Sequence, residues 1–391
     1  MLSRYLAILF STILLAACVS KSSLCPKPPQ AQPVKAEFVP SHWSALPEAW
    51  AEETLLEGWP ALLRSCQKLK QDPSWQALCT AADALQPQHW QQVASFYQQH
   101  FKVYRIQSDN GEDSGLVTGY YEPLLYGSPY PRPDYYAVYA PPADLLTIDL
   151  DELYPELKNM RLRGRVVANK VVPYHSRSEL DNTPSLLAGN EIAWVADPVE
   201  LFFLHIQGSG RIQFEDGQII RVGYANQNGH PYRSIGRWLV EQGLLPLEQV
   251  SMQGIQAWAR AHPQELNNLL AQNPSYVFFK LNDNTDVEQG PLGSLDVPLT
   301  PQHSVAVDRR YLPLGAPLVL STHWPNSTRP LVRLVHAQDT GGAIRGPLRV
   351  DFFWGFGSNA GKLAGAMKQR GQLWLLWPQE LPPPGHKPSS P

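Results

Sequence analysis

The chain has 391 residues, enough for two domains of ordinary size with a sizeable core. Its 32 Lys and Arg against 35 Asp and Glu give a formal charge of −3, which excludes the basic field expected of a nucleic-acid binder. Its 37 prolines, 12 tryptophans and 16 tyrosines suit a β protein that handles polysaccharide, and equally a proline-rich loop protein with an ordinary core.

Residues 1–17 read as an export signal. Arg4 supplies the positive start, and residues 6–15 form an apolar run too short to span a membrane as a stable helix. Leu15-Ala-Ala-Cys18 follows as a lipobox, so Cys18 is expected to become the lipidated first residue of the mature chain. The competing reading is cleavage after a small residue, giving a soluble periplasmic protein. Val19, standing where Asp does not, resembles lipoproteins sent to the outer membrane, facing the periplasm. Residues 18–40 then serve as a lipidated tether whose Lys, Ser, Pro and Gln mark a flexible segment. Cys66 and Cys79 flank a short helical stretch in an oxidising compartment, which predicts a disulfide, and Cys25 is left over in the tether. Cysteine and histidine do not combine at metal spacing, and no metal or other cofactor is expected.

Within residues 43–99, Leu55, Trp59, Leu62 and Leu63 recur at helical spacing, with Pro73 and Pro87 as breaks. Residues 90–101 repeat the pattern, and the tryptophans here suit a core better than a sugar platform. Residues 101–106 and 115–121 read as strands around a polar turn; the second carries Gly119-Tyr120-Tyr121 and ends at Pro123. Residues 124–283 read as a separate β-rich domain inserted into the first. Its expected strands are 192–195, 201–206, 211–214 and 219–224, turning at Gly208-Ser-Gly210 and Glu215-Asp-Gly217. Residues 144–160 read as an irregular or helical connection. His175-Ser-Arg-Ser-Glu179 heads a short helix, and residues 234–242, 252–261 and 264–272 are further helices. Residues 276–280 return the chain to the first domain.

Inside the insert, Gln207, Gly208 and Ser209 offer amide and hydroxyl groups beside glycine. Tyr224, Asn226, Asn228, His230 and Tyr232 cluster as the neutral and aromatic groups a hydroxyl-rich sugar needs. His205, between Leu204 and Ile206, reads as a satisfied structural histidine in a strand rather than a base. His230 before Pro231 reads as a turn residue.

Three aspartates stand out in the last hundred residues. Val305-Ala-Val-Asp308 ends one short strand before the turn Leu312-Pro-Leu-Gly315. Leu334-Val-His-Ala-Gln-Asp339 ends another. Gly341-Gly342 supplies a turn where positive φ is cheap, and the aromatic run 348–354, holding Asp351, follows as an adjacent strand. Aspartate is disfavoured in strands and costly to bury unpaired. Each one alone reads as a turn cap, but three around a Gly-Gly pair point to a site. A helix at 358–367, a strand at 373–377 and a polar tail at 379–391 complete the chain.

The run Val305-Ala-Val-Asp308, Pro313-Leu-Gly315, Ala337-Gln-Asp339-Thr-Gly-Gly-Ala-Ile and Val350-Asp351-Phe-Phe-Trp-Gly resembles the 3D domain, named for its three aspartates. With Thr118-Gly-Tyr-Tyr-Glu-Pro123, Phe203-Leu-His-Ile-Gln-Gly-Ser-Gly210, the stretch from Gly223 to Gly236, and Asn273-Pro-Ser-Tyr-Val-Phe-Phe279, the chain resembles the membrane-bound lytic murein transglycosylase A family. The resemblance implies a mainly β fold with helices. A double-psi β-barrel, residues 41–123 and 284–378 with its N-terminal helices, would carry the inserted β-rich domain, with a groove between them. It implies cleavage of the β-1,4 bond between N-acetylmuramic acid and N-acetylglucosamine in peptidoglycan. The muramyl C6 hydroxyl attacks its own anomeric carbon, which gives a 1,6-anhydro end and consumes no water.

By motif position the catalytic acid falls on Asp351, acting first as acid and then as base. Apolar neighbours Val350, Phe352 and Phe353 fit a raised carboxyl pKa, and a nearby Asp339 would raise it further. Asp339 is expected to orient or stabilise the oxocarbenium-like state, and Asp308 to be structural. Gly341 and Gly342 would let backbone approach the sugar. Tyr120 and Tyr121 line the glycan groove by the resemblance, and read equally well as an aromatic edge strand. Expected partners are glycan strands, outer-membrane lipid through Cys18, and cell-wall synthesis or scaffolding proteins, with no nucleic acid. Two other readings compete. Asp339-Thr-Gly matches one aspartic-protease triplet, but such enzymes need two carboxylates sharing a proton. A barrel that binds glycan without cutting it lacks a use for both Asp339 and Asp351.

Overall fold

One face of the Thr54–Leu69 helix carries Leu55, Trp59, Leu62 and Cys66, each at most 5% exposed, so this helix is held by an apolar stripe. Asp72 caps the next helix, Pro73–Ala84, by accepting from Ser74 N, and Pro73 stands at its first turn, where its missing N–H costs nothing. The Cys66–Cys79 disulfide joins the two helices, as expected from their spacing. The third helix, Trp90–His100, sets Phe96 and Tyr97 edge-on against Trp59. The computed structural model describes residues 34–157, 160–282 and 289–384. The expected signal peptide, Cys18, Cys25, most of the tether, the 283–284 boundary and residues 385–391 of the tail lie outside them.

The fold mixes helix with extensive sheet. Among the described residues eight strands form one sheet, in the order Ala36–Ser41, Phe101–Ser108, Lys368–Pro378, Pro317–His323, Pro330–Asp339, Ser304–Val307, Val350–Phe356 and Gly115–Glu122. The last of these also pairs antiparallel with Lys368–Pro378, so six of the eight close into a ring. Closure removes the free edges that an open sheet leaves. Burial falls on strand residues such as Val305, Val307, Leu318, Leu320, Val335, Phe352 and Leu375, all essentially inaccessible. The helices dock on this ring through named bonds: Tyr97 Oη meets His336 Nε2 at 3.1 Å, and Gln338 Nε2 donates to Ala61 O and Ser65 Oγ. The strand that ends in Asp339 is thus pinned from outside at His336 and Gln338.

A second, six-stranded sheet runs Val277–Leu281, Ile219–Gln227, Ser209–Gln213, Leu124–Ser128, Glu191–Val195, Tyr136–Tyr139. Of residues 276–280, read as the return to the first domain, 277–280 therefore still belong to this sheet, in its edge strand Val277–Leu281. Residues 201–206 are not a strand: they lie in the helix Pro198–Gln207. Asp197 accepts from Val199 N and Glu200 N, Pro198 opens the first turn, and Gly208 at φ 80° closes it as a left-handed cap. Val199 and residues 201–205 are all buried, so apolar residues surround the helix and no single stripe marks it. Residues 144–160, read as an irregular or helical connection, hold the strand Leu146–Thr147 of a small antiparallel sheet completed by Arg163–Val167 and Lys170–Pro173. Its Val166, Val167 and Val171 are exposed, which hid the usual alternation.

The chain passes from the first sheet to the second at Glu122-Pro123. Glu122 is 1% exposed and accepts from Arg211 Nε at 2.9 Å and Arg221 Nη2 at 2.9 Å. The Arg211 guanidinium lies 4.0 Å from the centre of the Phe356 ring. A buried carboxylate between two buried guanidiniums is held in place by charge-assisted bonds, and losing one partner of such a cluster costs about 3–5 kcal/mol.

Candidate active site

The expectation that Asp339 and Asp351 sit on adjacent strands fails, because the Ser304–Val307 strand runs between theirs. Ala306 is the cross-strand partner of both, parallel to Asp339 and antiparallel to Asp351. The apolar run 305–307 is short and β-branched enough to thread the middle of the ring. The two carboxylates therefore stand level with each other, two strand spacings or roughly 10 Å apart at Cα.

The strand Gly115–Glu122 frames both. Thr118 is the register partner of Asp351 and donates from Oγ1 to its Oδ1 at 2.5 Å. Thr118 in turn accepts from Arg349 Nη2 at 2.8 Å. Tyr120, two residues on and so on the same face, donates from its hydroxyl to Asp339 Oδ2 at 3.1 Å. Between them Gly119 is required: a Cβ there would come 2.6 Å from Trp354 Nε1 and 2.9 Å from the Ala364 backbone. Asp339 also accepts from Ser294 N, Ser294 Oγ and Thr340 N at 2.8–2.9 Å. Among the described residues Asp351 has Thr118 alone as a donor.

Burial raises the pKa of both carboxyls. For Asp339 the donations from Thr340, Ser294 and Tyr120 oppose it. For Asp351 the Thr118 bond and the Arg349 charge oppose it, and the Asp339 charge adds to the rise. Burial, with both aspartates adding to it, lifts the Tyr120 hydroxyl far above its usual range, so it remains a donor. Asp308, 3% exposed, is held differently. Burial pulls it up, but Arg310 and the Gly346 N–H outweigh that and leave it below the ordinary carboxylate range. It holds the loop at 346 through a 2.9 Å bond from Gly346 N.

Gly341 and Gly342 follow Asp339 in the loop, but neither uses positive φ; Gly346, at φ 106°, does. Gly341 is small because a Cβ there would meet Ile344 at 2.6 Å. Tyr121 points away from the carboxylates. Its N–H donates to Gln207 Oε1 at 3.1 Å and its hydroxyl to Met252 Sδ, and burial with the Glu200 charge raises its pKa to about 12. Gln207 thus ties the insert to the strand that frames the site. Gly208 and Ser209 turn from helix into strand beside Tyr224, whose Cβ lies 3.9 Å from a Cβ placed on Gly208. Tyr224 and Tyr232 are 41% and 40% exposed, an available aromatic face. Asn228 is instead consumed by structure: it donates to His175 O and Pro274 O and accepts from Tyr276 N. Asn226 accepts from Arg163 Nε, and His230 Nε2 meets Tyr174 O.

His205 is buried and on a helix, with Nδ1 2.9 Å from Arg177 Nη2. Burial and that charge drive its pKa well down, so the ring is neutral and structural. Among the described residues no group of three His, Cys, Asp or Glu side chains could hold a metal ion. Sequence reasoning missed Thr118, Arg349 and Ser294. The first lay inside a quoted motif without a role. Ser294 reaches Asp339 across 45 positions, and its surroundings in the chain carry no signal.

Residues 116–280 match the MltA specific insert domain and residues 303–377 the 3D domain. Membrane-bound lytic murein transglycosylase A of Escherichia coli K12 is 32% identical over 290 residues, covering 71% of this chain and 70% of that protein. The structure of MltA from Neisseria gonorrhoeae in its monoclinic form is 37% identical, with a TM-score of 0.76, covering 89% of this chain and 94% of the other. The E. coli MltA structure with bound chitohexaose is 26% identical, with a TM-score of 0.63, covering 89% and 95%. By class this is a lytic transglycosylase, a peptidoglycan-cleaving lyase. The chain belongs to the membrane-bound lytic murein transglycosylase A family.

Proposed function

We propose that the enzyme cleaves the β-1,4 bond between N-acetylmuramic acid and N-acetylglucosamine, with Asp351 carrying both proton transfers. The Asp351 carboxyl gives its proton to the glycosidic oxygen, and the N-acetylglucosamine portion leaves with a free 4-hydroxyl. The muramyl C6 hydroxyl then attacks C1 of the oxocarbenium-like ion and returns its proton to the Asp351 carboxylate. Bonds and protons balance without water, and the product is a 1,6-anhydromuramyl end.

The observation that carries this reading is the unequal solvation of two level carboxylates. Asp351, half-buried with one hydroxyl donor, is suited to hold a proton; Asp339, with four donors, is suited to stay charged and stabilise the cation. Their separation by two strands supports an electrostatic partner rather than a second nucleophile. The ring of six strands fits a double-psi barrel spanning 41–123 and 284–378, with the insert 124–283 forming the other wall of a glycan groove. Tyr224, Tyr232, Ser209 and the Gly341-Gly342 loop would contact sugar there, and the E. coli relative's bound chitohexaose supports a groove of this kind. We also place the enzyme at the outer membrane, anchored by lipid on Cys18 and facing the periplasm, where cell-wall synthesis or scaffolding proteins would meet it. Its role is then wall remodelling and turnover.

Purified protein incubated with sacculi tests the chemistry. Mass spectrometry should find products one water lighter than reducing muropeptides. Reducing ends, or intact sacculi, overturn the reading.

A further inference from the structure

A cavity of about 150 Å³ opens beside the Asp339 loop, between the segment that follows Val307, the loop 340–345 and residues 160–161 of the insert. Its walls carry Arg161, Arg309, Arg310 and Arg345, with Asp308 as the carboxylate among them. Arg310 is paired with Asp308 and Arg309 is not free, so the charge open to a ligand in this small recess is that of Arg161 and Arg345. Asp308 is already committed, to Arg310 at 2.5 Å and to Gly346 N at 2.9 Å. Arg161 and Arg345 make no hydrogen bond among the described residues. Burial, then the charges of Arg310 and Arg161, make Arg345 easier to deprotonate, so an arriving anion would relieve an existing repulsion. Gly342 neighbours the insert's arginine, with a Cβ placed there lying 3.5 Å from Arg161 Nη1, in ordinary contact.

None of this charge takes part in the proton transfers assigned to Asp351. The recess is nonetheless close to the reaction: Gly341 in its wall is two residues from Asp339, within roughly 7 Å along the backbone. Planar guanidinium forks match carboxylates in two-point contact. We infer that this recess receives a carboxylate of the stem peptide carried by the murein strand, gripped by Arg161 from the insert and Arg345 from the 3D region. This rests on the murein-cleaving reading above and adds to it a recognition site for the substituent rather than the sugar.

The test uses the full chain with Asp351→Asn to keep ligands intact, with and without Arg161→Gln and Arg345→Gln together. Calorimetry reads affinity for a stem-bearing glycan strand, the same strand stripped by an amidase, and chitohexaose, which carries no carboxylate. The double substitution should weaken the stem-bearing strand about tenfold or more, and chitohexaose less than twofold. It should also flatten the salt dependence of stem-bearing binding. Equal losses on all three ligands, or no loss, overturn the inference. Equal losses on the stem-bearing and stripped strands also overturn it, by moving the carboxylate to the lactyl group. Should the double variant unfold, Arg161→Gln alone, on an insert segment outside the barrel, carries the same comparison. Failure of the unaltered enzyme to release anhydro products would sink the murein reading and leave this arginine-dependent difference to be judged by itself.

Discussion

Asp339 and Asp351 flank the same alanine, and burial raises the pKa of each, yet their surroundings differ in kind. Asp339 lies in a cage of four donors drawn from three separate stretches: 120, 294 and 340. Asp351 has one hydroxyl, itself steadied by Arg349, and apolar Val350 and Phe352 on either side in sequence. Desolvation alone would make the two carboxyls alike. The number of donors separates them, because each bond to the charged form offsets part of the cost of burying it.

The sharpest way to break this contrast is Asp351→Asn. Anhydromuropeptide release from sacculi, followed by chromatography and mass spectrometry, should fall about 10³-fold or more while the protein stays folded. A retained rate would end the assignment. Asp339→Asn should cost about 10²-fold in kcat with a small change in KM, because the amide oxygen can still accept from Ser294 and Thr340, while the amide nitrogen faces Tyr120 and the charge is lost. If it costs more than Asp351→Asn, the two roles are exchanged.

Tyr120→Phe removes one donor from the cage. A loss of about three- to tenfold in kcat is expected, read at fixed pH.

Thr118→Val sharpens the other side. Activity that needs protonated Asp351 persists at low pH and is lost as pH rises through its raised pKa. The Thr118 bond lowers that pKa, so its removal should move the alkaline limb of the rate profile upward. A downward move would contradict the assignment.

The smallest effect is on stability. Asp351's folded pKa lies above its unfolded value, so its favourable contribution holds below the unfolded value and disappears as pH rises through the folded one. Asp351→Asn should therefore melt above the unaltered protein at neutral pH. Scanning calorimetry should show the gap closing as pH falls into the ordinary carboxylate range.

Much of this arrangement was legible in the chain. The strands read at 101–106 and 115–121, the short helix headed by 175–179, the helix at 252–261 and the 66–79 disulfide followed from capping, spacing and motif. The failures share a cause. The helix at 198–207 buries Val199 and the unbroken run 201–205, so its apolar residues lack a period, and only Asp197-Pro198 and Gly208 marked its ends. The relation of Asp339 to Asp351 depends on which strand runs between theirs, a long-range pairing that local pattern does not encode. Asn228 looked like a sugar contact because a neutral amide is chemically suited to one, yet buried backbone carbonyls at 175 and 274 claim it. The arginine recess combines residues nearly two hundred positions apart.

Residues 118, 120 and 122 project from one face of one strand, and they serve in turn the proposed acid, its charged partner and the Arg211–Arg221 clasp. A genetic screen for loss of wall-cleaving activity should therefore return Arg211 and Arg221 alongside the aspartates, although neither arginine reaches them. Suppressors of such alleles would be sought near Phe356 and Pro123, where the backbone could reset the pitch of that strand, rather than around the sugar.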